Sequence, residues 1–117
     1  HEGESWLGLA FSDDGGMVGS NAVIGIPEKN SVQKFNLGGK EIGSVELADR
    51  QTLTDASIQI AEGQTIMKFT KILDEDGEVE ILAGAGDMKN IMLFAHGSGV
   101  SLGYHGPDAR MAFELTL

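Results

Sequence analysis

A period-two alternation of apolar and polar residues, cut into short pieces by glycine-rich turns, constrains this chain more than any other feature. In "QTIMKFTKIL", Gln64 to Leu73, the residues Thr65, Met67, Phe69, Lys71 and Leu73 alternate with Ile66, Lys68, Thr70 and Ile72. The closing "RMAFELTL" places Met111, Phe113, Leu115 and Leu117 on one side and Ala112, Glu114 and Thr116 on the other. "DASIQIA" repeats the pattern with Ala56, Ile58 and Ile60. Successive side chains of an extended strand point to opposite faces, so this period predicts strands with one buried and one wet side. Further short strands are expected at "SWLGLAF", "NAVIGI", "SVQKFNL", "VEILA" and "NIMLFA". Between them stand "SDDGG", "PEKN", "LGGK", "AEGQ", "DEDGE", "GAGD" and "GYHGPD", all rich in turn-forming residues. Strands recurring about every ten residues with turns between them predict an antiparallel β-sandwich or barrel. The one helical turn expected lies around "VELADRQ".

No linker, repeat or low-complexity tract interrupts the 117 residues, so residues 1–117 are expected to form one domain. Seventeen glycines against two prolines suit many short elements joined by tight turns. The net charge of −10 repels phosphate backbones and anionic lipid surfaces, which argues against nucleic-acid and membrane-surface partners. The absence of cysteine excludes disulfides, thiolate metal sites and a cysteine nucleophile within the chain. No apolar run approaches the roughly 20 residues of a spanning helix, so no direct membrane insertion is expected. The chain opens on "HEGESWLGLAF", already close to a strand, which suggests a domain excised from a longer protein.

Several catalytic and binding signatures are missing: a dinucleotide-binding glycine motif between strand and helix, a phosphate-binding loop with its lysine, "HExxH" and "GxSxG". "GAGD" is more economically a hairpin turn, and "DEDGE", Asp74 to Glu78, lacks the length and closing glutamate of a calcium loop and is expected to be a solvated turn. No nucleophile–base pair stands out, so free-standing enzymatic catalysis is not expected. Taken singly, Met17 is a packing residue and His96 and His105 are surface residues of strand ends and turns. Taken together, a thioether and an imidazole from separate segments are the donors of a six-coordinate haem iron, which moves electrons and leaves no position for oxygen. Met17 and His105 lie near opposite ends of the sequence, each next to glycines that would let a flat macrocycle approach the backbone.

The order of these segments resembles the DOMON domain family. "WLGLAFS…GGMVGSNAVIGIP" is similar to its signature, a tryptophan–glycine strand, a loop, then methionine-x-glycine-serine leading into a second strand. The likeness continues through "SVQKFNL" and "QTLTDASIQIAEGQTIMKFTKIL" and closes with "IMLFAHGSG" and "LGYHGPDARMAFELTL". It implies an immunoglobulin-like antiparallel β-sandwich, secreted or at the cell surface, that serves as a module of a larger protein. The family usually carries a strand or two ahead of its "WLGL" segment, so those strands are expected to be missing here or supplied by another chain.

In haem-binding members the axial methionine falls where Met17 stands and the axial histidine just before the last strand, where His105 stands. The resemblance therefore implies haem b with Met17 and His105 as axial ligands and Tyr104 and Phe94 beside it; Leu7, Leu9, Phe11 and Val23 could supply further apolar walls or equally form an ordinary core. His96 ranks second as a ligand. The function implied is single-electron transfer between haem and a redox partner protein or domain, as a non-catalytic module of a larger oxidoreductase. The alternative implied is a haem-free module that binds carbohydrate or protein, with Trp6 or Tyr104 stacking on sugar rings. A third is a structural sandwich domain whose open edge takes a neighbour's strand.

Overall fold

The computed structural model describes residues 1–12, 17–38, 45–73, 75, 78–79, 81, 90–97, 99 and 110–115. They form eight strands: β1 (Leu7–Ser12), β2 (Ser20–Ile26), β3 (Ser31–Leu37), β4 (Val45–Leu47), β5 (Thr54–Ala61), β6 (Gln64–Thr70), β7 (Asn90–His96) and β8 (Arg110–Leu115). Six of them make one antiparallel sheet in the order β4-β3-β2-β1-β7-β8, while β5 and β6 pair as a hairpin in a second sheet. The expected antiparallel sandwich is what the chain builds. Among the described residues no helix is long and apolar enough to cross a membrane.

Every residue of β2 is buried. Its sequence, "SNAVIGI", is a nearly unbroken apolar run because β2 lies inside the sheet and both of its faces are covered. Two apolar clusters result, one per face. Phe11, Val23 and Met92 pack with Met67 and Phe69 of β6 and with Val79 and Ile81. This is the hairpin face. On the other side, Ala10, Ala22, Ile24, Ile26 and Leu37 pack with Trp6, Met17, Phe35, Leu93 and Ala95. This is the Met17 face, and no residue of β5 or β6 belongs to its cluster.

Two close approaches fix the layers. A Cβ built on Gly25 would stand 2.5 Å from Ile58 Cδ1 and 2.8 Å from Met67 Sδ, so the bare backbone there lets the hairpin seat on β2. A Cβ on Gly97 would run into the Trp6 indole, which lies flush against the backbone just past β7. Residues 1–3 run alongside β6: His1 and Thr65 exchange backbone hydrogen bonds of 3.1 and 2.9 Å, and the Gly3 N–H donates to the Gly63 carbonyl at 2.7 Å. A paired stretch thus does precede the "WLGL" segment.

Four local expectations are corrected. "VELADRQ" forms no helical turn: Val45–Leu47 is an edge strand, opposite Phe35–Leu37, and the Gln51 side chain binds the Lys34 backbone where β4 has ended, at 2.8 and 2.9 Å. In β5 only Ile58 is buried; Ile60, on the same side but next to the hairpin turn, is 38% exposed, and the register shift between Thr54 and Ser57 takes Ala56 out of the series. Met111 is 57% exposed although it shares the side of Phe113, since β8 lies at the end of the sheet order. "VEILA" contributes Val79 and Ile81 to the hairpin face without forming a strand at either, and "GAGD" lies outside the described residues.

Candidate functional site

The densest chemistry on the hairpin face is a group of buried charges. Val32, Lys34 and Asn36 share the side of β3 that faces the hairpin, and Lys71 continues the inward series Thr65, Met67, Phe69 beyond the end of β6. The Lys34 ammonium meets Glu75 at 3.1 Å and Glu78 at 2.7 Å; the Lys71 ammonium meets the same two carboxylates at 3.2 and 3.0 Å. The Thr52 hydroxyl accepts from Lys34 at 2.8 Å and donates to Glu75 at 2.7 Å. All four charged side chains are at most 11% exposed.

Two cations face two anions, so the group is neutral as a whole. Burial by itself would push the Glu75 carboxyl up. The hydrogen bonds from Thr52, Lys34 and Lys71 outweigh it and bring Glu75 down from 4.5 to about 2. Burial would likewise lower Lys34, and its bonds to Glu78 and Glu75 reverse that, leaving it above 10.5. With every charge partnered, the cluster holds the 71–81 segment onto the sheet. The Asn21 amide oxygen, accepting the Val79 N–H at 2.6 Å, adds a second tether. "DEDGE" is therefore no solvated turn at Glu75 and Glu78; acidic turn residues become interior when two lysines meet them.

The Met17 face has a different character. Across the sheet, Leu93, Ala10, Ala22 and Phe35 lie in one row, and Ala95, Gly8 and Ile24 in the next. Small side chains thus floor the middle, with Leu93 and Phe35 rising on either side. Met17 sits in the β1–β2 connection, where its carbonyl accepts the Ser20 N–H at 3.1 Å and Gly19 donates to Leu37 at 2.8 Å. Its side chain is half-buried against the cluster of Trp6, Ala10, Ala22, Ile24, Ile26 and Leu37. A thioether packed against this cluster is a soft donor beside an apolar bed.

The remaining sequence-predicted residues divide. His105 and Tyr104 lie outside the described residues. Phe94 and His96 sit on the hairpin face of β7, in line with Leu9 and Leu7. So do Leu7, Leu9, Phe11 and Val23, which belong to the packing against the second sheet and not to the surroundings of Met17. The expectation that these residues and Met17 wall one pocket fails on strand parity, because the sheet itself separates them. His96 also lies about 17 Å along β7 from Ile91, the residue opposite Ser12 at the Met17 end. Trp6 is 5% exposed with its ring against Gly97, so it offers no open face to a sugar.

Of the donors haem requires, Met17 fits in type and surroundings, and neither described histidine shares its face. Among the described residues no three His, Cys, Asp or Glu side chains are grouped to hold a metal ion. Sequence reasoning missed the Lys34–Lys71–Glu75–Glu78 cluster. Its only signal was the placement of Lys34 and Lys71 at inward strand positions, where a lysine needs buried partners.

The described strands make an antiparallel β-sandwich module with Met17 in the connection between β1 and β2. The model of the DOMON domain family matches residues 1–97, and the chain belongs to that family. No curated protein and no solved structure matches it.

Proposed function

We propose that this DOMON domain is an extracellular electron-transfer module that holds haem b against the Met17 face. Met17 supplies one axial ligand and, by the family resemblance, His105 the other. The observation that carries this reading is the position of Met17, half-buried against the apolar cluster that includes Ala10, Ala22, Ile24 and Leu37. DOMON domains are generally extracellular modules, which fits an exchange of electrons with a partner protein or domain outside the cell.

When bound with two axial ligands, haem supplies a reversible one-electron couple and no open coordination site. The chain's own part would be to present the Met17 sulfur and to exclude water with Ile24, Phe35 and Leu93. A thioether ligand raises the potential relative to a second imidazole, suiting the site to accept electrons. The buried Trp6 leaves the glycan-binding alternative without its described aromatic platform.

Haemin titration into the purified protein tests the proposal. A saturable complex should form with a low-spin spectrum that sharpens on reduction, and Met17→Ala or His105→Ala should each abolish it. Absence of a complex, or one indifferent to both substitutions, overturns the reading; colourless protein that binds glycan would establish the alternative.

A further inference from the structure

Away from the Met17 face, two imidazoles meet where the two sheets adjoin. The His1 and His96 rings have centroids 4.1 Å apart at an interplanar angle of 32°. Phe94 stands 6.2 Å from the first and 6.1 Å from the second, an apolar wall beside both. We propose that His1 and His96 form a two-imidazole clip for a divalent transition-metal ion of the copper–nickel–zinc class.

The two rings are presented by separate, hydrogen-bonded backbone segments, one ahead of β1 and the other at the end of β7. His1 is held to Thr65 by its backbone, and Glu2 bridges to Gln64. His96 ends β7, paired across from Leu7. Ordered backbones on both sides mean that little conformational freedom is lost when a metal joins the rings. The His1 ring lies near Gly3: a Cβ there would stand 3.4 Å from His1 Nε2.

The His96 ring is also fixed through one of its nitrogens. Its Nδ1 lies 3.0 Å from the Gly97 carbonyl oxygen. A carbonyl can only accept, so Nδ1 carries the proton and Nε2 keeps its lone pair for a metal. That carbonyl–imidazole relation is the usual outer-shell support of a metal-bound histidine. Neutral imidazoles favour copper, nickel and zinc over magnesium or calcium, and copper binds most tightly among the divalent ions. No third His, Cys, Asp or Glu side chain joins the pair among the described residues, so water completes the coordination. The net charge of −10 draws cations to the surface.

The test uses untagged protein with any free terminal amine acetylated, so that only side chains compete for metal. Titration with copper(II) and zinc(II) chloride in a non-chelating buffer should show one saturable site, tighter for copper. His1→Gln and His96→Gln should each weaken it by about tenfold or more. The copper(II) paramagnetic resonance spectrum should show coupling to two imidazole nitrogens, and this holds as a readout even if a variant fails to fold. No saturable binding, equal affinity in either folded variant, or coupling to fewer than two imidazole nitrogens overturns the proposal. Because the readouts involve no haem, failure here leaves the Met17 reading standing, and the reverse.

Discussion

Lys34 and Glu75, 41 positions apart in sequence, meet at 3.1 Å with side chains 2% and 6% exposed. Neither is near the surface position its residue type ordinarily takes. Each is tolerated because the other is there, and the strand carrying Lys34 is thereby tied to the segment after β6. Removing one partner leaves an uncompensated charge in the interior. Lys34→Ala should cost about 3–5 kcal/mol of unfolding free energy, measured by chemical denaturation at neutral pH. Replacing Lys34 and Glu75 together with apolar residues should cost markedly less than the two single changes summed.

The same cluster sets an acid limit. Glu75 is lowered in the fold to about 2 from an ordinary 4.5, so between those values the unfolded chain binds the extra proton. Its contribution is complete above pH 4.5 and drains away as pH falls toward 2. Lys34 is raised, so its contribution is complete below pH 10.5 and is lost only as pH climbs past the raised value. Denaturation midpoints followed from pH 7 to pH 3 should fall in wild type and fall less steeply in Glu75→Gln.

Trp6 against Gly97 offers a direct optical probe, since the chain has one tryptophan. Gly97→Ala puts a methyl group where the indole lies and should displace the ring, destabilising the fold by about 3 kcal/mol. The expected sign is a red-shifted fluorescence maximum in the still-folded protein. An unshifted spectrum with unchanged stability would show that the contact is not tight.

The β5–β6 turn holds Glu62 at φ 52 and Gly63 at φ 76, the left-handed pair that a two-residue hairpin of this kind demands. Glutamate is a poor choice there and asparagine a good one. Glu62→Asn should raise the melting temperature by about 2 °C, whereas Gly63→Ala should cost about 1 kcal/mol. Calorimetry distinguishes the two.

For the haem reading, Met17→His is the informative substitution. It should retain a low-spin spectrum while lowering the reduction potential, because a second imidazole favours the ferrous state less than a thioether does. Spectroelectrochemical titration reads the difference. Since Met17 is only half-buried, Met17→Ala should cost the fold no more than about 2 kcal/mol.

Strand positions were largely legible from the sequence because alternation is local. "NAVIGI", "SVQKFNL", "NIMLFA" and "QTIMKFT" each carry their own period, and β2, β3, β7 and β6 stand there within a residue or so. The short edge strand Val45–Leu47 was not legible: three residues are too few to show a period, and "VELADRQ" has helical composition. Glu75 and Glu78 gave no warning either, since acidic residues around a glycine look the same in solvent as in a buried pair.

What the sequence determined by itself was the alphabet of strands and turns, the antiparallel class, and a methionine placed in the first hairpin connection. Those depend on the period of side chains along an extended backbone and on which residues accept left-handed turns. Only the tertiary structure decided which face each series covers. It put Met17 on one side of β1 and Phe94 and His96 on the other, joined Lys34 to Glu75, and set His1 beside His96. Such relations depend on register between strands distant in sequence, and a shift of one residue would exchange every face.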